Sequence, residues 1–399
     1  MGETAGSGAL SGVKVIERAR GVAAAYAGRL LATVGADVTM LEPQGGSPLR
    51  RTPPFLDPDM RTSALFAYLA AGKRSMLEDE TSYGAAFNRL IGSADILLDD
   101  TPVDLRAEAG LDPKELTRCH PQLIFVSVLP FGAVGPHARW RAQEINSLHA
   151  GGEGALLPNG LALELFPDRP PVKIYGHFAM YQGGTSAAIA AIAAMMARPQ
   201  VGGQFVDISV QDANLAVGAF AIQRLGEGVV ENRRDRSFRY GGVVECRDGF
   251  IQVLTLENRQ WEALCQLMGD PDWARDPGLK DPMERGRRGS EINGHLRTWA
   301  LTQKVEVVVE RGQRLGVPVA RYNSPREVLQ DPHVRERRLF EPIDIPQFGT
   351  TEMLVAPYKL SETPPDLSAG PPELGSSGRL SEWAGEPLLG SPSGQAASE

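Results

Sequence analysis

Apolar positions in the first third of the chain alternate between short β-branched runs and a longer small-residue stretch. Val13-Lys14-Val15-Ile16 reads as a strand and Ala23 to Val34 as a helix. Gly35-Ala36-Asp37 caps that helix, and Val38 to Leu41 reads as a second strand ending at Glu42-Pro43. Ala94 to Asp100 and Leu123 to Val128 read as further strands, the latter ending at Pro130-Phe131-Gly132. A β-α-β opening of this kind predicts a parallel, doubly wound sheet.

The stretch from Pro170 to Ala213 organises the rest of the chain. It reads as a loop ending at Gly183-Gly184, a small-residue helix from Thr185 to about Arg198, a Gly202-Gly203 turn, and a strand from Gln204 to Val210. Backbone N–H groups at the Gly183-Gly184 end suit an anion or an oxyanion, and an ordinary αβ unit is the alternative reading. Upstream, Ala142 to Gly152 reads as a helix carrying Gln143, Glu144, Asn146 and His149. From about Arg224 the composition changes. Arg233, Arg234, Asp235, Arg236 and Arg239 read as a solvated linker into a second domain. A hairpin is expected there, with Gly242 to Glu245 and Phe250 to Leu254 around Arg247-Asp248-Gly249. Trp261, Leu264, Leu267 and Met268 then recur at helical spacing, and Gly316-Val317-Pro318-Val319 leads back toward the first domain. The expected division is a large domain over 10–222, a small inserted domain over 223–318, a return segment over 319–376, and tails at 1–9 and 377–399.

Composition narrows the partners. The chain has 399 residues and a formal net charge of −8, which argues against nucleic acid or an anionic membrane as the main partner. Its three cysteines, Cys119, Cys246 and Cys265, lie far apart with no CxxC and no His at ligand spacing. A disulfide framework and a metal site are unsupported, and a cytoplasmic location is expected. The start, MGETAGSGALSG, has neither a basic nor an apolar region of a signal peptide, and the longest apolar run, Ala187 to Met196, is too short to span a bilayer. After the first strand the chain reads Glu17-Arg18-Ala19-Arg20-Gly21-Val22, without GxGxxG, so a nicotinamide dehydrogenase is disfavoured. Two basic turns, one with Arg50 and Arg51 and one with Lys73 and Arg74, are candidate phosphate clamps or simply solvated turns.

Seven stretches in one order carry a resemblance. They are Leu10 to Val15, Leu31 to Pro43, Gly72 to Ser75, Phe131 to Pro136, Gly202 to Ala213, Gly316 to Pro318, and Asp331-Pro332-His333 with Arg338 and Phe340. The late Pro357 and Leu360 to Pro364 also fit. Together they resemble the class III CoA-transferases, a family that includes carnitine-pathway CoA-transferases and α-methylacyl-CoA racemases. The resemblance implies a Rossmann-like large domain built from both chain ends, a smaller inserted α+β domain, and two chains interlocked like links. It implies acyl-CoA as substrate and no metal. In the transferases an aspartate attacks the thioester, forming an anhydride and then an enzyme thioester that an incoming acid resolves. The racemases instead use a His and an Asp to move an α-proton.

Departures from the family pattern decide the function. Aligning Gly183-Gly184 and the following helix places Met180 at the position of the nucleophilic aspartate, and a thioether cannot form the anhydride. Gly176 to Gln182 contains no carboxylate, and Asp168 reads as a turn residue. The racemase His-Asp pair is Gln143-Glu144 here. The family's Gly-Pro after strand one is Ala24-Ala25, and its Asn-Phe-Arg-Pro-Gly loop is Asp100-Thr101-Pro102-Val103-Asp104, which sets two acids where a pyrophosphate is expected. Catalytic candidates are the Met180 position, Glu144 as base or substitute nucleophile, His177 as base, and Glu257 near an acyl-binding cleft. Each has a plain structural alternative: surface charge for Glu144, a hydrogen-bonded histidine for His177, a helix N-terminal acid for Glu257. CoA-facing candidates are Val22, Arg50, Lys73, Arg74, Asp100, Thr101 and Arg106, with Gln143, Gly183 and Gly184 toward the substrate. Three functions remain open. One is an acyl-CoA enzyme that transfers CoA between carboxylic acids without the usual Asp. Another is a non-catalytic subunit paired with an Asp-bearing paralogue rather than a homodimer, and the last is a fold refitted to another small molecule.

Overall fold

The structure is a computed structural model, and it describes residues 8–383 except 60, 79–83, 159–162, 164, 171, 219–221, 223–224, 227, 229–239 and 368. The arginine-rich linker at Arg233 to Arg239 and the last dozen residues of the tail lie outside the described residues. The chain divides into two compact units, one of 1–151, 174–217 and 338–399, the other of 152–173 and 218–337.

The first unit is built on six parallel strands: β1 (Lys14–Arg18), β2 (Asp37–Glu42), β3 (Arg74–Leu77), β4 (Ile96–Asp99), β5 (Ile124–Leu129) and β6 (Phe205–Ser209). Their order in the sheet is β3-β2-β1-β4-β5-β6, so the winding reverses between β1 and β4. This is the doubly wound arrangement the opening pattern predicts. Successive side chains face opposite sides, and the two apolar cores follow from that. Val15, Val38, Leu98 and Val126 pack on one face with helices α1 (Val22–Thr33) and α6 (Phe178–Val201). Ile16, Leu41, Leu97 and Phe125 pack on the other with α3 (Ala85–Gly92) and α4 (Pro113–Cys119). The strands read as continuous apolar runs because both faces are covered. The remaining helices on this unit are α2 (Ala64–Ala70), α5 (Glu144–Ala150) and α7 (Val210–Val217).

Chain end joins chain beginning here. The antiparallel pair β10 (Phe340–Ile345) and β11 (Gly349–Leu354) buries Ile343, Ile345 and Met353 against Ala67 and Ala71 of α2. Arg379 forms a parallel bridge to Leu77 beyond them.

In the second unit, the expected hairpin forms as β7 (Gly242–Cys246) and β8 (Gly249–Val253), and β9 (Val319–Arg321) extends it. Its core contains Trp261, Leu264 and Leu267 from α8 (Asn258–Leu267) and Ile292 and Leu296 from α10 (Gly289–Ala300), the helix after α9 (Pro282–Arg287). The sequence expectation set the return to the large domain at 319. In the structure, β9 and everything to Arg337 group with the second unit, because Val319 pairs with Val253.

Candidate active site

The first turn of α6 carries the candidate site. Gly176, at φ +83°, turns the chain, His177 caps the helix, and Met180 lies in its first turn. The helix therefore starts seven residues before the expected Thr185, and Gly183-Gly184 are inside it rather than in a loop before it. That corrects their assignment as N-terminal anion donors: a glycine inside a helix has its N–H in the helical ladder. What the pair supplies is closeness. A Cβ on Gly183 would stand 2.7 Å from Val210 Cγ2, and one on Gly184 would stand 2.5 Å from the Ala23 carbonyl oxygen of α1. Sequence alone reads Gly-Gly as a stop signal, whereas packing here outweighs the roughly 1 kcal/mol each glycine costs a helix.

Glu144, the first residue of α5, reaches that turn. Its Oε1 accepts from the Ala179 N–H at 2.9 Å and its Oε2 from the Met180 N–H at 3.1 Å. It is only 8% exposed, which rules out the surface-charge alternative. A carboxylate thus stands at the residue where the family aspartate was expected, donated by a different helix and held by the positive end of α6. Asn146 accepts from the Gln143 N–H at 2.9 Å, so Gln143 sits as the N-cap of α5.

Aromatic rings close the other side. Tyr181 packs on Tyr26 of α1 with centroids 4.5 Å apart, and Tyr68 of α2 and His177 lie 6.4 and 6.2 Å from Tyr181. Burial, Tyr26 and the nearby Glu144 charge push the Tyr181 phenol up to about 12, so it stays a neutral donor. Asn214, on α7 and 1% exposed, donates to the carbonyls of Ala179 at 3.2 Å and Val210 at 2.7 Å. Neither Tyr181 nor Asn214 was singled out from sequence. Aromatic and amide side chains carry no spacing signal that distinguishes a site from a core.

The CoA-facing cations are each held by acceptors of the protein itself. Lys73 is buried, with its Nζ 2.6 Å from Glu17 Oε2 and 2.7 Å from the Ala25 carbonyl. Arg50 makes two 2.7 Å bonds to Glu42 and lies over the Phe66 ring. Arg74 pairs with Asp37 at 3.2 Å, and Arg106 donates to the Thr101 carbonyl and Ser127 while covering Phe125 and Phe205. Each of these cations is engaged by the protein's own acceptors. A buried or half-buried cation is most cheaply satisfied within the fold, which composition cannot reveal.

The switch point between β1 and β4 is where an open α/β sheet offers a ligand crevice. Here the chain's own carboxylate takes the backbone donors of that turn. Asp100 accepts from the Arg20 N–H at 2.9 Å and the Gly21 N–H at 2.6 Å, at the start of α1 just before Val22. Arg18 bonds Asp99 and Thr101, and both Arg18 and Arg20 bond Glu78. Burial and the adjacent Asp99 push the Asp100 carboxyl up to about 7.

Glu257, in the second unit, caps α8 in partnership with Gln260, whose side-chain oxygen accepts from the Glu257 N–H, and it pairs with exposed Arg259 at 2.7 Å. That is the helix-terminal arrangement given as its structural alternative. Asp168 stands exposed in the turn closed by the Arg169 N–H on the Phe166 carbonyl. Among the described residues there is no cluster of three or more His, Cys, Asp or Glu suited to a metal, and no helix long and apolar enough to cross a membrane.

The profile of CoA-transferase family III matches residues 10–377. The chain belongs to this family. It is 28% identical over 93% of its length to the succinyl-CoA–D-citramalate CoA-transferase of Chloroflexus aurantiacus, covering 92% of that protein. It is 29% identical to the succinate–glutarate CoA-transferase of Agrobacterium fabrum, covering 92% of this chain and 93% of the relative. The succinyl-CoA–L-malate CoA-transferase beta subunit of Chloroflexus aurantiacus is 28% identical, with 92% and 91% covered. A solved CaiB/BaiF family protein from Brucella suis superposes with a TM-score of 0.79 at 26% identity, covering 93% of this chain and 98% of its own.

Proposed function

We propose that this protein binds acyl-CoA and transfers CoA between carboxylic acids, with Glu144 serving as the carboxylate nucleophile that Met180 does not supply. The observation that carries this is the pair of hydrogen bonds from Ala179 and Met180 to a nearly buried Glu144. The Glu144 carboxylate attacks the thioester carbonyl, the C–S bond breaks, and CoA leaves as thiolate from a mixed anhydride. The thiolate then attacks the Glu144 carbonyl, releasing the first acid and leaving a glutamyl-CoA thioester. The incoming carboxylate attacks that thioester, and CoA thiolate returns to the new acyl carbonyl, regenerating Glu144. Throughout, the two N–H groups that hold the resting carboxylate polarise the Glu144 carbonyl as negative charge develops on its oxygen. Tyr181 and His177 stand on the same turn as neutral-donor and base candidates.

Calorimetry against CoA, acetyl-CoA and succinyl-CoA tests the first half, with micromolar binding expected. Hydroxylamine trapping after exposure to succinyl-CoA tests the second: a hydroxamate on the Glu144 peptide is expected, absent in Glu144→Gln. Binding without any adduct at Glu144 would remove the nucleophile assignment, and no binding of any thioester would remove the whole reading.

A second reading is that this chain pairs with an Asp-bearing paralogue and leaves the covalent step to it. The relative named as a beta subunit favours that alternative. Under either reading we take the assembly to be an interlocked dimer, homomeric in the first case, in a reducing cytoplasm that leaves Cys119, Cys246 and Cys265 free.

A further inference from the structure

We propose that Asn214 is a positioning residue for Glu144: it clamps the Ala179 peptide from the carbonyl side so that the Ala179 and Met180 N–H groups stay aimed at the carboxylate. The inference rests on the reading of Glu144 as the working carboxylate.

Ala179 is gripped at both ends. Its N–H goes to Glu144 Oε1 at 2.9 Å, and its carbonyl takes the Asn214 amide at 3.2 Å. Ala179 is fully buried in the first turn of α6, so the helix and these two partners together set its orientation. The Ala179 carbonyl shares its peptide unit with the Met180 N–H, which donates to Glu144 Oε2 at 3.1 Å, so a hydrogen bond accepted at that carbonyl makes the Met180 N–H a better donor and the clamp strengthens as well as aims. Asn214 is itself locked. Its amide also donates to the Val210 carbonyl one turn earlier at 2.7 Å, and its Cβ is so close to the end of α5 that a Cβ on Gly151 would stand 2.6 Å away.

The rest of the side chain argues that the amide is kept for the site rather than for stability. Asn214 Oδ1 is buried with no hydrogen-bond partner among the described residues. Burying a bare acceptor is unfavourable, and an apolar residue of the same branching avoids it. The Ala179 and Val210 carbonyls belong to helices, so each retains its ladder partner when the amide is removed. A residue present only for packing would be better as leucine. An asparagine that leaves one oxygen bare while its nitrogen grips the peptide beside Glu144 is the arrangement expected when function, not stability, selects it.

Asn214→Leu in the full-length protein is the test, read by hydrogen exchange of the peptide spanning Ala179 to Gly183, melting temperature, succinyl-CoA affinity, and the rate of CoA release from succinyl-CoA with glutarate as acceptor. The expected result is at least about tenfold faster exchange in that segment, unchanged or higher melting temperature, affinity within about twofold, and a rate lower by about tenfold or more. Unchanged exchange overturns the clamp, and so does a rate that does not fall. A rate that falls only in step with the melting temperature assigns Asn214 to structure alone and overturns it equally. Should leucine overfill the site and prevent folding, Asn214→Ala carries the same readouts, with the exchange of Ala179 to Gly183 compared against that of β1 as the internal standard. If neither wild type nor variant binds succinyl-CoA, the reading of the function fails while the exchange result still decides the clamp.

Discussion

Replacing Asp100 with asparagine should stabilise this protein, and the gain should grow with pH. Asp100 follows the C-terminal end of β4, accepts two backbone N–H groups before α1, and lies in the network of Asp99, Arg18, Arg20 and Glu78. Burial and Asp99 raise its carboxyl from 3.8 to about 7, against the opposing pull of the Arg20 and Gly21 N–H groups. An acid whose folded value lies above its unfolded one binds its proton more tightly when folded. Its contribution is therefore full below the unfolded value near 3.8 and is lost as pH rises toward about 7. At about 1.36 kcal/mol per unit, the loss has a ceiling of about 4 kcal/mol. Asp100 is only partly buried, so water reaching the carboxylate lowers the expected figure to about 1–3 kcal/mol. The asparagine keeps an oxygen for the two N–H groups and never ionises. Urea unfolding of both proteins across about pH 5 to 8.5 measures the difference, in which titrating groups not coupled to Asp100 cancel. The advantage of Asp100→Asn should rise up to about pH 7 and flatten above it. A difference independent of pH, or one favouring aspartate at high pH, would show that the N–H groups and Arg20 outweigh burial and would refute the reasoning.

Lys73→Met strands buried Glu17, and unfolding should reveal a loss of about 3–5 kcal/mol that the double change with Glu17→Gln largely restores. A single variant as stable as wild type would mean that this pair holds nothing. Gly184→Ala forces a methyl to 2.5 Å from the Ala23 carbonyl and 3.0 Å from Tyr26, and should lower stability by about 1–3 kcal/mol in a melting experiment. Met180→Asp alone should give little transferase activity. The new carboxylate shares a helix turn with Glu144, which accepts the N–H of that very residue, and the Asp100 loop has diverged as well. Robust turnover with succinyl-CoA and glutarate would show that the rest of an aspartate-type site is intact.

Much of this architecture is legible in sequence. The alternation of β-branched runs with small-residue helices specifies β1, α1, β2, β4 and β5, since a strand buried on both faces must be apolar throughout and a helix crossing it closely must be small. The hairpin at Arg247-Asp248 and the helical spacing of Trp261 and Leu264 are local signals of the same kind. The absence of a carboxylate from Gly176 to Gln182 is likewise a fact of sequence.

Tertiary structure alone decided the rest. Gly183-Gly184 reads as a break because glycine is a poor helix former, yet the pair lies inside α6 where Val210 and Ala23 leave no room for a side chain. The cations of the basic turns look available in sequence and are taken in the fold, Lys73 by Glu17 and Arg50 by Glu42, each pairing residues that sequence separates widely or that only a particular turn brings together. Glu144 is the sharpest case. Its partner Ala179 lies 35 positions further along the chain, and no periodicity links the two. Hydrophobic pattern reports which face of an element is buried, but the partner of a buried polar atom is set by how elements cross, and that is fixed only when the chain is folded.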